Sequence, residues 1–425
     1  MGTCGIIMEC NPFHEGHRYI IGKAREIAGE GGHVVVVMSG AFAQRGIPAV
    51  ESTQVRTRQV LEAGADLVLE LPVRYATAGA GYFAEGAASL LARTGIVTDL
   101  VFGSECAELG KLARCARFLS EEPEDFRDLL RENLAKGCSW PAARARAAAA
   151  CQEAVVLPDT PNDLLGVEYL RALRLLSEDG ALGEITPHAL PRVRVASASS
   201  LREQMASEDA GLHPDDFSGM LLEKLLIIDR GIARYVFGDY AGVSGDLSNR
   251  IHRLLPQFVS WTQFCGLLKT RSLTWTAVSR ALTHILLDIT SDTLPGDFLR
   301  HDGSRADSAA CVPGSGRRDS SAALEKAAIL IPYARVLGCR RAALPLLGRI
   351  QANSLPLITS HTDAGRFLPE GTRERKLLDI DLHASEVWDL AARMKFSENT
   401  HGKTAQAPDT EPRAVSEFSK PLLIL

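Results

Sequence analysis

The amino-terminal half of the chain alternates short apolar runs with stretches of helical periodicity. The runs Thr3–Met8, Val34–Met38, Leu67–Leu71 and Leu100–Phe102 are typical of buried strands, and the last one stops at Gly103. Strands that alternate with helices predict βαβ units and a parallel sheet, in which ligands bind beyond the carboxyl ends of the strands. A fifth strand is predicted over 184–190, and helices over 16–28, 54–63, 81–93, 125–134, 140–151, 163–176 and 199–205.

Beyond residue 217 the pattern becomes mainly helical. Helices are predicted over 220–228, 245–255, 262–268 and 274–289, with further structure over 322–337, 340–347 and 373–394. We therefore predict an α/β domain over 1–210, a mainly helical domain over 218–395 and a loose tail over 396–425. A segment rich in Gly, Ser, Asp and Arg, over 295–321, is predicted to be a loop insertion in the second domain.

The composition restricts the kind of protein that the chain can be and the compartment in which it can work. Hydrophobic residues make up 46% and charged residues 23%, which is typical of a globular chain, and the net charge of -5 excludes a global basic field. Any nucleic-acid contact must therefore use a local basic patch. Nine cysteines without a C-x-x-C pair fit a reducing compartment. No apolar run reaches the roughly 20 residues of a membrane span, and no signal sequence is recognisable, so we expect a cytoplasmic protein.

The strongest candidate for chemistry lies between the first strand and the first helix. In the segment 11–17, Pro12 restrains a turn, Gly16 permits close approach of a ligand, and His14 and His17 are three positions apart. A helix amino terminus favours an anion, and two imidazoles add hydrogen-bond donors to a phosphate. The pattern favours attack on the α-phosphate of a nucleotide. The two histidines could instead cap the helix or bind a metal, but no third ligand is evident nearby.

A second candidate is the segment 196–202. Ser199 and Ser200 are natural N-cap residues, and Arg202 stands in the first turn of the predicted helix, where it could bind the β- and γ-phosphates. Capping alone would also explain the serines.

Together these segments resemble the nucleotidyltransferase superfamily, whose members carry H-x-G-H and a downstream S-S-x-x-R-like segment. The chain is more closely similar to the tRNA(Met) cytidine acetate ligase family of bacteria. The resemblance rests on segments 9–17, 37–49, 102–105, 161–166, 196–202 and 333–338, of which 37–49 is the most specific. It implies a Rossmann-like nucleotidyltransferase domain followed by a mainly helical domain that binds tRNA.

The resemblance also implies a two-step reaction. Acetate attacks the α-phosphate of ATP and gives acetyl-adenylate and pyrophosphate; the wobble cytidine of elongator tRNA(Met) then accepts the acetyl group and becomes N4-acetylcytidine. The implied partners are ATP, acetate and elongator tRNA(Met), with no membrane and no obligate protein partner. Mg²⁺ is expected with the ATP, held mainly by phosphates and water, without a dedicated metal site in the protein.

Catalytic roles are expected for His14, His17 and Arg202. Carried onto this chain, the ATP site of the family comprises Ile7, Met8, Glu9, Cys10, Asn11, Pro12, Phe13, His14, Glu15, Gly16, His17, Arg18, Tyr19, Ile20, Gly103, Asn162 and Arg192, and we add Ser199. Arg194 is a close rival of Arg192. Arg45, Lys269 and Arg271 are weaker candidates for binding acetate or tRNA. Other basic candidates for the tRNA surface are Arg280, Arg335, Arg340, Arg341, Arg349 and the segment 373–376.

Two alternatives stay open at this point. One is an adenylyltransferase acting on a small coenzyme precursor, although such enzymes are usually short and about 200 helical residues would be unexplained. The other is a binding module for nucleotide or RNA without turnover, against which the intact His14, Gly16, His17 and Arg202 argue.

Overall fold

The computed structural model describes residues 2–177, 183–193, 198–291, 331–398 and 422–425. The strands are β1 Thr3–Met8, β2 His33–Ser39, β3 Phe42–Ala43, β4 Ile47–Pro48, β5 Leu67–Leu71, β6 Asp99–Ser104, β7 Thr186–Pro191, β8 Ala334–Cys339, β9 Leu357–Ile358 and β10 Leu423–Ile424. The helices of the first half are α1 Glu15–Ala28, α2 Thr53–Glu62, α3 Val73–Ala76, α4 Ala80–Arg93, α5 Leu109–Glu121, α6 Glu124–Ala135, α7 Trp140–Ala150, α8 Pro161–Ser177 and α9 Ala198–Ser207. Those of the second half are α10 Ser218–Asp229, α11 Gly245–Leu254, α12 Trp261–Leu268, α13 Trp275–Leu286, α14 Leu344–Ala352, α15 His361–Phe367 and α16 Arg373–Glu398.

The α/β architecture predicted from the alternating pattern is confirmed. The main sheet has the strand order β10-β8-β5-β2-β1-β6-β7, with β9 beside β8. The central strand β1 pairs in parallel with β2 and with β6, so that Ile6 lies opposite Val36 on one side and Val101 on the other. The carboxyl ends of β1, β2 and β6 therefore meet at one edge of the sheet, where the sequence analysis expected the ligand.

Alternate residues of the central strands face opposite layers of helices. Val34 and Val36 of β2 pack with residues of α1 and α2 on one face, and Val35 and Val37 pack with α4 on the other. Because both faces are covered, the strands are apolar at every position rather than at alternate ones, which is the pattern of a buried parallel strand.

The helical region forms a separate core around α10 to α13. Phe217, Trp261 and Phe264 are fully buried in it, and Trp388 of α16 joins the same cluster. This mainly helical region was predicted, and it is confirmed. None of the described helices is both long enough and apolar enough to cross a bilayer.

The structure corrects the expectation of an all-parallel sheet. Strand β8 pairs with β5 in the antiparallel direction and carries β10 on its other side. Both strands come from the range beyond residue 217, yet they extend the amino-terminal sheet. An antiparallel strand added to a parallel sheet needs no crossover helix, and β8 covers the backbone groups that β5 would otherwise expose.

Several elements of the structure were not predicted, and some predictions concern residues outside the described ranges. Helix α5 and the β3–β4 hairpin were missed, and the predicted structure over 322–337 is a strand where it is described. The insertion predicted over 295–321, most of the tail predicted over 396–425, and Arg194 lie outside the described residues. The division into domains at residue 210 stays a prediction.

Candidate functional site

The segment that follows β1 ends in an unusual helix start. His14 is the N-cap of α1, with extended backbone angles (φ -151°, ψ 173°). Its ring Nδ1 accepts a hydrogen bond from the backbone N–H of Gly16 at 3.1 Å. In return, the backbone N–H of His14 donates to Nδ1 of His17 at 3.2 Å. The two histidines thus form a capping box, in which imidazole nitrogens replace the usual Ser and Glu oxygens.

This reciprocal cap determines the protonation of both rings. A nitrogen that accepts a backbone N–H carries no proton, so in each neutral ring the proton is on Nε2. The two rings stack, with centroids 3.8 Å apart and planes inclined by 19°. His14 and His17 therefore offer two Nε2–H donors side by side at the amino end of α1.

The surroundings keep both rings neutral. Burial lowers the pKa of His17 to about 3, with a further contribution from His14. The pKa of His14 is also lowered, by burial and by the positive charge of Arg192. Arg192 therefore lies within electrostatic reach of His14, while its guanidinium is exposed and pairs with Glu105 at 3.5 Å.

Arg202 and Ser199 also reach this segment. Nη1 of Arg202 donates to the backbone carbonyl of Asn11 at 2.7 Å, and Nη2 donates to Oγ of Ser199 at 3.0 Å. The side chain of Asn11 is buried. Its Nδ2 donates to the carbonyl of Pro48 in β4 at 3.4 Å, and its Oδ1 accepts from the N–H of Val50, just beyond β4, at 2.9 Å. The start of α9 therefore lies against the turn that carries the histidines.

Glu105 connects three other predicted residues. Its Oε1 accepts from Nδ2 of Asn162 at 2.6 Å and from Nη1 of Arg192 at 3.5 Å. Its Oε2 accepts from the backbone N–H of Asp163 at 3.0 Å, which caps the start of α8. Since the amide nitrogen of Asn162 is bonded to Glu105, the amide oxygen is the group left for a ligand. Glu105 was noted in a motif but was not assigned to the site.

Gly103 stands at the end of β6, next to this cluster. A Cβ at this position would lie 3.6 Å from Cδ1 of Ile20, which is an ordinary van der Waals distance. Protein packing therefore does not require glycine here. A ligand that approaches the backbone closely would require it.

Arg56 was missed entirely by the sequence analysis. It lies in α2 with a fully buried side chain. Nη1 donates to the carbonyls of Glu9 at 2.9 Å and Ser39 at 2.8 Å, Nη2 donates to the carbonyl of Gly40, and Nε donates to the carbonyl of Glu51 at 3.1 Å. One guanidinium thus forms hydrogen bonds to the segments that follow both β1 and β2. No sequence signal distinguishes it from a surface arginine on a helix.

Glu9 brings a carboxylate to the same edge of the sheet. Its Oε1 accepts from the backbone N–H of Gln44 at 2.5 Å. Burial raises the pKa of Glu9, and the nearby charges of Arg202, Arg45 and Arg56 oppose that effect. Arg45 itself is exposed in the turn of the hairpin, and its charge lies within electrostatic reach of Glu9 and Arg202.

The remaining members of the predicted ATP segment divide into two groups. Ile7, Met8 and Cys10 are buried in the hydrophobic cores, so their side chains support the sheet and only their backbone could meet a nucleotide. The others lie on α1 and in the turn before it. Pro12 is buried, Phe13, Gly16, Tyr19 and Ile20 are half-buried, and Glu15 and Arg18 are exposed.

The basic candidates of the helical region differ in accessibility. Lys269 and Arg271 are exposed in the turn between α12 and α13. Arg335 is only 6% exposed and forms an ion pair with Glu70 at 2.5 Å, so it is not part of a tRNA surface. Arg335 was wrongly predicted as a candidate for the tRNA surface, because its sequence neighbours do not show that it occupies a buried position in a strand.

Comparison with known proteins identifies the class to which this site belongs. The family model described as HIGH Nucleotidyl Transferase matches residues 1–297, which contain the paired imidazoles, the Glu105 cluster and Arg202. The chain is thus a nucleotidyl transferase of the HIGH type. Within that class, the tRNA(Met) cytidine acetate ligase of Acetivibrio thermocellus is 32% identical over 404 residues, covering 85% of this chain and 89% of the relative. The chain belongs to the tRNA(Met) cytidine acetate ligase family.

Further relatives and solved structures agree with this assignment. The tRNA(Met) cytidine acetate ligase of Halothermothrix orenii is 31% identical over 404 residues, covering 84% of this chain and 87% of the relative. The crystal structure of Thermotoga maritima TmcAL bound with alpha-thio ATP matches with 27% identity and a TM-score of 0.75, over 92% of this chain and 95% of that one. The apo form of the same protein matches with 25% identity and a TM-score of 0.78, over the whole of both chains.

Proposed function

We propose that this protein is an ATP-dependent ligase that attaches acetate to the wobble cytidine of elongator tRNA(Met), giving N4-acetylcytidine. The observation that carries the proposal is the pair of stacked, neutral imidazoles of His14 and His17, whose Nε2–H groups lie together at the amino end of α1. The relatives bear the name of this activity, and one matching structure is bound with an ATP analogue.

In the first half-reaction, acetate attacks the α-phosphate of ATP. Acetate is ionised at neutral pH, so it needs no base, and catalysis consists of positioning the reactants and stabilising the charge that develops on the phosphates. The Nε2–H groups of His14 and His17 donate to phosphate oxygens. Arg202, which is bonded to the turn that carries the histidines, and Arg192, which is within electrostatic reach of His14, neutralise the departing pyrophosphate, which leaves acetyl-adenylate.

Mg²⁺ would accompany the triphosphate. Among the residues that the structure describes, no three His, Cys, Asp or Glu side chains converge to hold a metal ion. Phosphate oxygens and water would therefore be its main ligands, as is common for Mg²⁺ bound with nucleotides, and it would add positive charge to the phosphates.

In the second half-reaction, the amine of the cytosine attacks the acetyl carbonyl and AMP leaves. The base must leave its stack in the anticodon loop to reach the site, as enzymes acting on bases require. The helical region, residues 218–395, is the part we assign to tRNA binding, with Lys269 and Arg271 on its exposed surface. Arg45 lies nearer the reaction, where acetate or a tRNA phosphate would reach it. Because its substrate is a tRNA, we expect the protein to work in the cytoplasm. The proposed reaction requires no second protein.

Exchange of labelled pyrophosphate into ATP tests the first half-reaction, and mass spectrometry of nucleosides tests the second. We expect exchange only when acetate is present, and N4-acetylcytidine in tRNA(Met) after incubation with ATP and isotopically labelled acetate, with the label in the acetyl group. Exchange without acetate would favour an adenylyltransferase for another small acceptor. Acetylation that depends on acetyl-coenzyme A instead of acetate would contradict the proposal.

A further inference from the structure

The second half-reaction requires a group that accepts a proton. When the cytosine amine attacks the carbonyl carbon of acetyl-adenylate, a C–N bond forms, the C–O bond to the phosphate breaks, and AMP leaves with the electron pair. The attacking nitrogen must then lose one proton. An amine conjugated with a pyrimidine ring is a weak nucleophile, so removing this proton during the attack lowers the barrier.

The polar groups described so far are unsuited to this task. His14 and His17 hold their protons on Nε2 and use Nδ1 as acceptors for backbone N–H groups. Asp163 accepts from the side chain of Ser104, from Thr160 Oγ1 at 2.9 Å and from the backbone N–H of Glu105 at 2.9 Å. Both oxygens of Glu105 are likewise engaged, as described above. The arginines stay protonated at any ordinary pH.

Glu9 differs from all of these groups. It is the first residue after β1, the central strand, and its backbone carbonyl is held by Nη1 of Arg56 at 2.9 Å. Oε1 accepts from the N–H of Gln44 at 2.5 Å, while no partner of Oε2 is found among the described residues. The carboxylate is therefore fixed through one oxygen, and the second oxygen is available.

The charges around Glu9 come from several elements. Arg45 of the hairpin turn, Arg56 of α2 and Arg202 of α9 face it with positive charge. Tyr169 of α8 and the thiol of Cys10 also lie within electrostatic reach, and the charge of Glu9 raises the pKa of each. Since Arg202 is bonded to Asn11 beside the paired imidazoles, this group of charges borders the site assigned to the phosphates.

We propose that the carboxylate of Glu9 accepts the proton of the cytosine amine during acetyl transfer. The inference rests on the proposed function and adds a catalytic group to its second half-reaction. The proton passes from the amine nitrogen to Oε2 of Glu9, AMP leaves as an anion, and the protonated carboxyl then releases the proton to water. Burial raises the pKa of Glu9, which makes the carboxylate a stronger base than an exposed one.

Separate measurement of the two half-reactions tests the inference in the Glu9→Gln variant. Transfer from chemically prepared acetyl-adenylate to unmodified tRNA(Met) transcript should fall by about a hundredfold or more. Acetate-dependent pyrophosphate exchange should fall by a factor at least about tenfold smaller than transfer does, because acetate needs no base. In the unaltered protein, transfer should slow as the pH falls through the pKa of Glu9, and Glu9→Gln should remove this dependence.

Two further variants serve as controls. Glu26→Gln removes an exposed carboxylate of α1, which pairs with Lys23 at 2.7 Å, and should change neither half-reaction. Glu9→Asp keeps a carboxylate and should recover part of the transfer rate together with its pH dependence. Transfer by Glu9→Gln within about threefold of the unaltered rate would overturn the inference. So would an equal loss of both half-reactions. If the unaltered protein shows no acetate-dependent exchange, it is the proposed function that fails.

Discussion

At the scale of single residues, each imidazole ring of His14 and His17 has two roles, capping helix α1 and donating a hydrogen bond to a phosphate. Nδ1 of His14 and Nδ1 of His17 accept hydrogen bonds from backbone N–H groups at the start of helix α1, while the Nε2–H group of each ring would donate a hydrogen bond to a phosphate oxygen. The sequence analysis treated capping and phosphate binding as competing explanations of this motif. The structure makes them compatible, because they use opposite edges of the imidazole.

Replacing His17 should therefore separate the two uses of the ring. In His17→Asn, the side-chain oxygen can still accept the N–H of His14, but the Nε2–H donor is lost. We expect acetate-dependent pyrophosphate exchange to fall by about 10²- to 10³-fold, as when a donor to a developing charge is removed, with little loss of stability. The exposed His252, replaced by Asn, is the matched control. Near-normal exchange by His17→Asn would remove His17 from the catalytic assignment.

The pH dependence of the first half-reaction follows from the neutral rings. Burial lowers the pKa of His17 to about 3, so this ring gains no proton between about pH 6 and pH 8, and the pKa of His14 also lies below its usual value. The rate of exchange at saturating acetate should show no titration near the ordinary histidine pKa of about 6.5. An inflection there that disappears in His17→Asn would contradict the assigned protonation.

Glu105 should act through the residues that it holds. Glu105→Gln keeps the size of the side chain but removes the charge that orients Asn162 and Arg192. Hydrogen bonds to charged groups contribute about 1.5 to 3 kcal/mol, so we expect the KM for ATP in pyrophosphate exchange to rise about tenfold or more, with a smaller change in kcat. Glu108→Gln, which removes an exposed carboxylate paired with Lys111, should leave the KM unchanged.

The candidate site could be predicted from the sequence only in part. The segment 11–17 was recognised because histidines, proline and glycine are concentrated between a strand and a helix. Gly103, Asn162 and Arg192 were assigned through resemblance alone, since no local pattern connects residues so far apart. Glu105 and Arg56 were not assigned to the site because charged side chains normally face solvent, and only the fold shows which ones bond to it.

At the scale of secondary-structure elements, one side chain controls how the turns after β1 and β2 lie together. Arg56 satisfies carbonyls of Glu9, Ser39 and Glu51, and it reaches Gly40 as well. These carbonyls lie at the end of β2 or in the segments beyond the strands, where the ladder of hydrogen bonds stops, so a fully buried guanidinium with five donors supplies their partners.

Arg56→Met should leave several buried carbonyls without a donor. We expect the free energy of unfolding, measured in urea, to fall by about 3 kcal/mol or more. Arg58→Met, an exposed substitution on the same helix, should change it by no more than about 0.5 kcal/mol. Equal stability of the two variants would show that the carbonyls find other partners.

The elements that were missed have physical explanations. Helix α5 buries Leu112, Cys115, Ala116 and Leu119, which are spaced as on one face of a helix, and this helix was not predicted. The hairpin strands β3 and β4 contain two residues each, too few for any periodicity. Strand β8 carries an arginine and a glycine, and its apolar partners across β5 lie more than 260 positions away in the sequence.

At the scale of the whole molecule, helix α16 links the two cores. Asp381 accepts from the backbone N–H of Val73 at 2.6 Å and from the hydroxyl of Tyr333 at 2.7 Å. Val73 follows β5 and Tyr333 precedes β8, so both donors belong to the part of the chain that forms the main sheet. Further along, Nε1 of Trp388 donates to the carbonyl of Ala49 at 2.7 Å. The long helix thus packs with the helical core and also holds the segments that follow β4 and β5.

This link should make stability depend on pH. Burial raises the pKa of Asp381 to about 6, above its unfolded value of about 4, so the folded state favours the protonated carboxyl. Its contribution is therefore fully present below about pH 4 and is lost as the pH rises through 6. In Asp381→Asn, the free energy of unfolding should lack this decline, which is on the order of 3 kcal/mol. If the free energies of unfolding of the unaltered protein and of Asp381→Asn changed with pH in the same way, the expected protonation of Asp381 would be contradicted.

The central claim is that the nucleotide binds where β1 meets α1, with the two imidazoles on its phosphates. A crystal structure with a non-hydrolysable analogue of acetyl-adenylate tests it most directly. We predict the phosphate within hydrogen-bond distance of Nε2 of His14 and Nε2 of His17, and the adenosine near Gly103 and the amide oxygen of Asn162. Analogue density at another place, with the paired imidazoles contacting only water, would contradict the account.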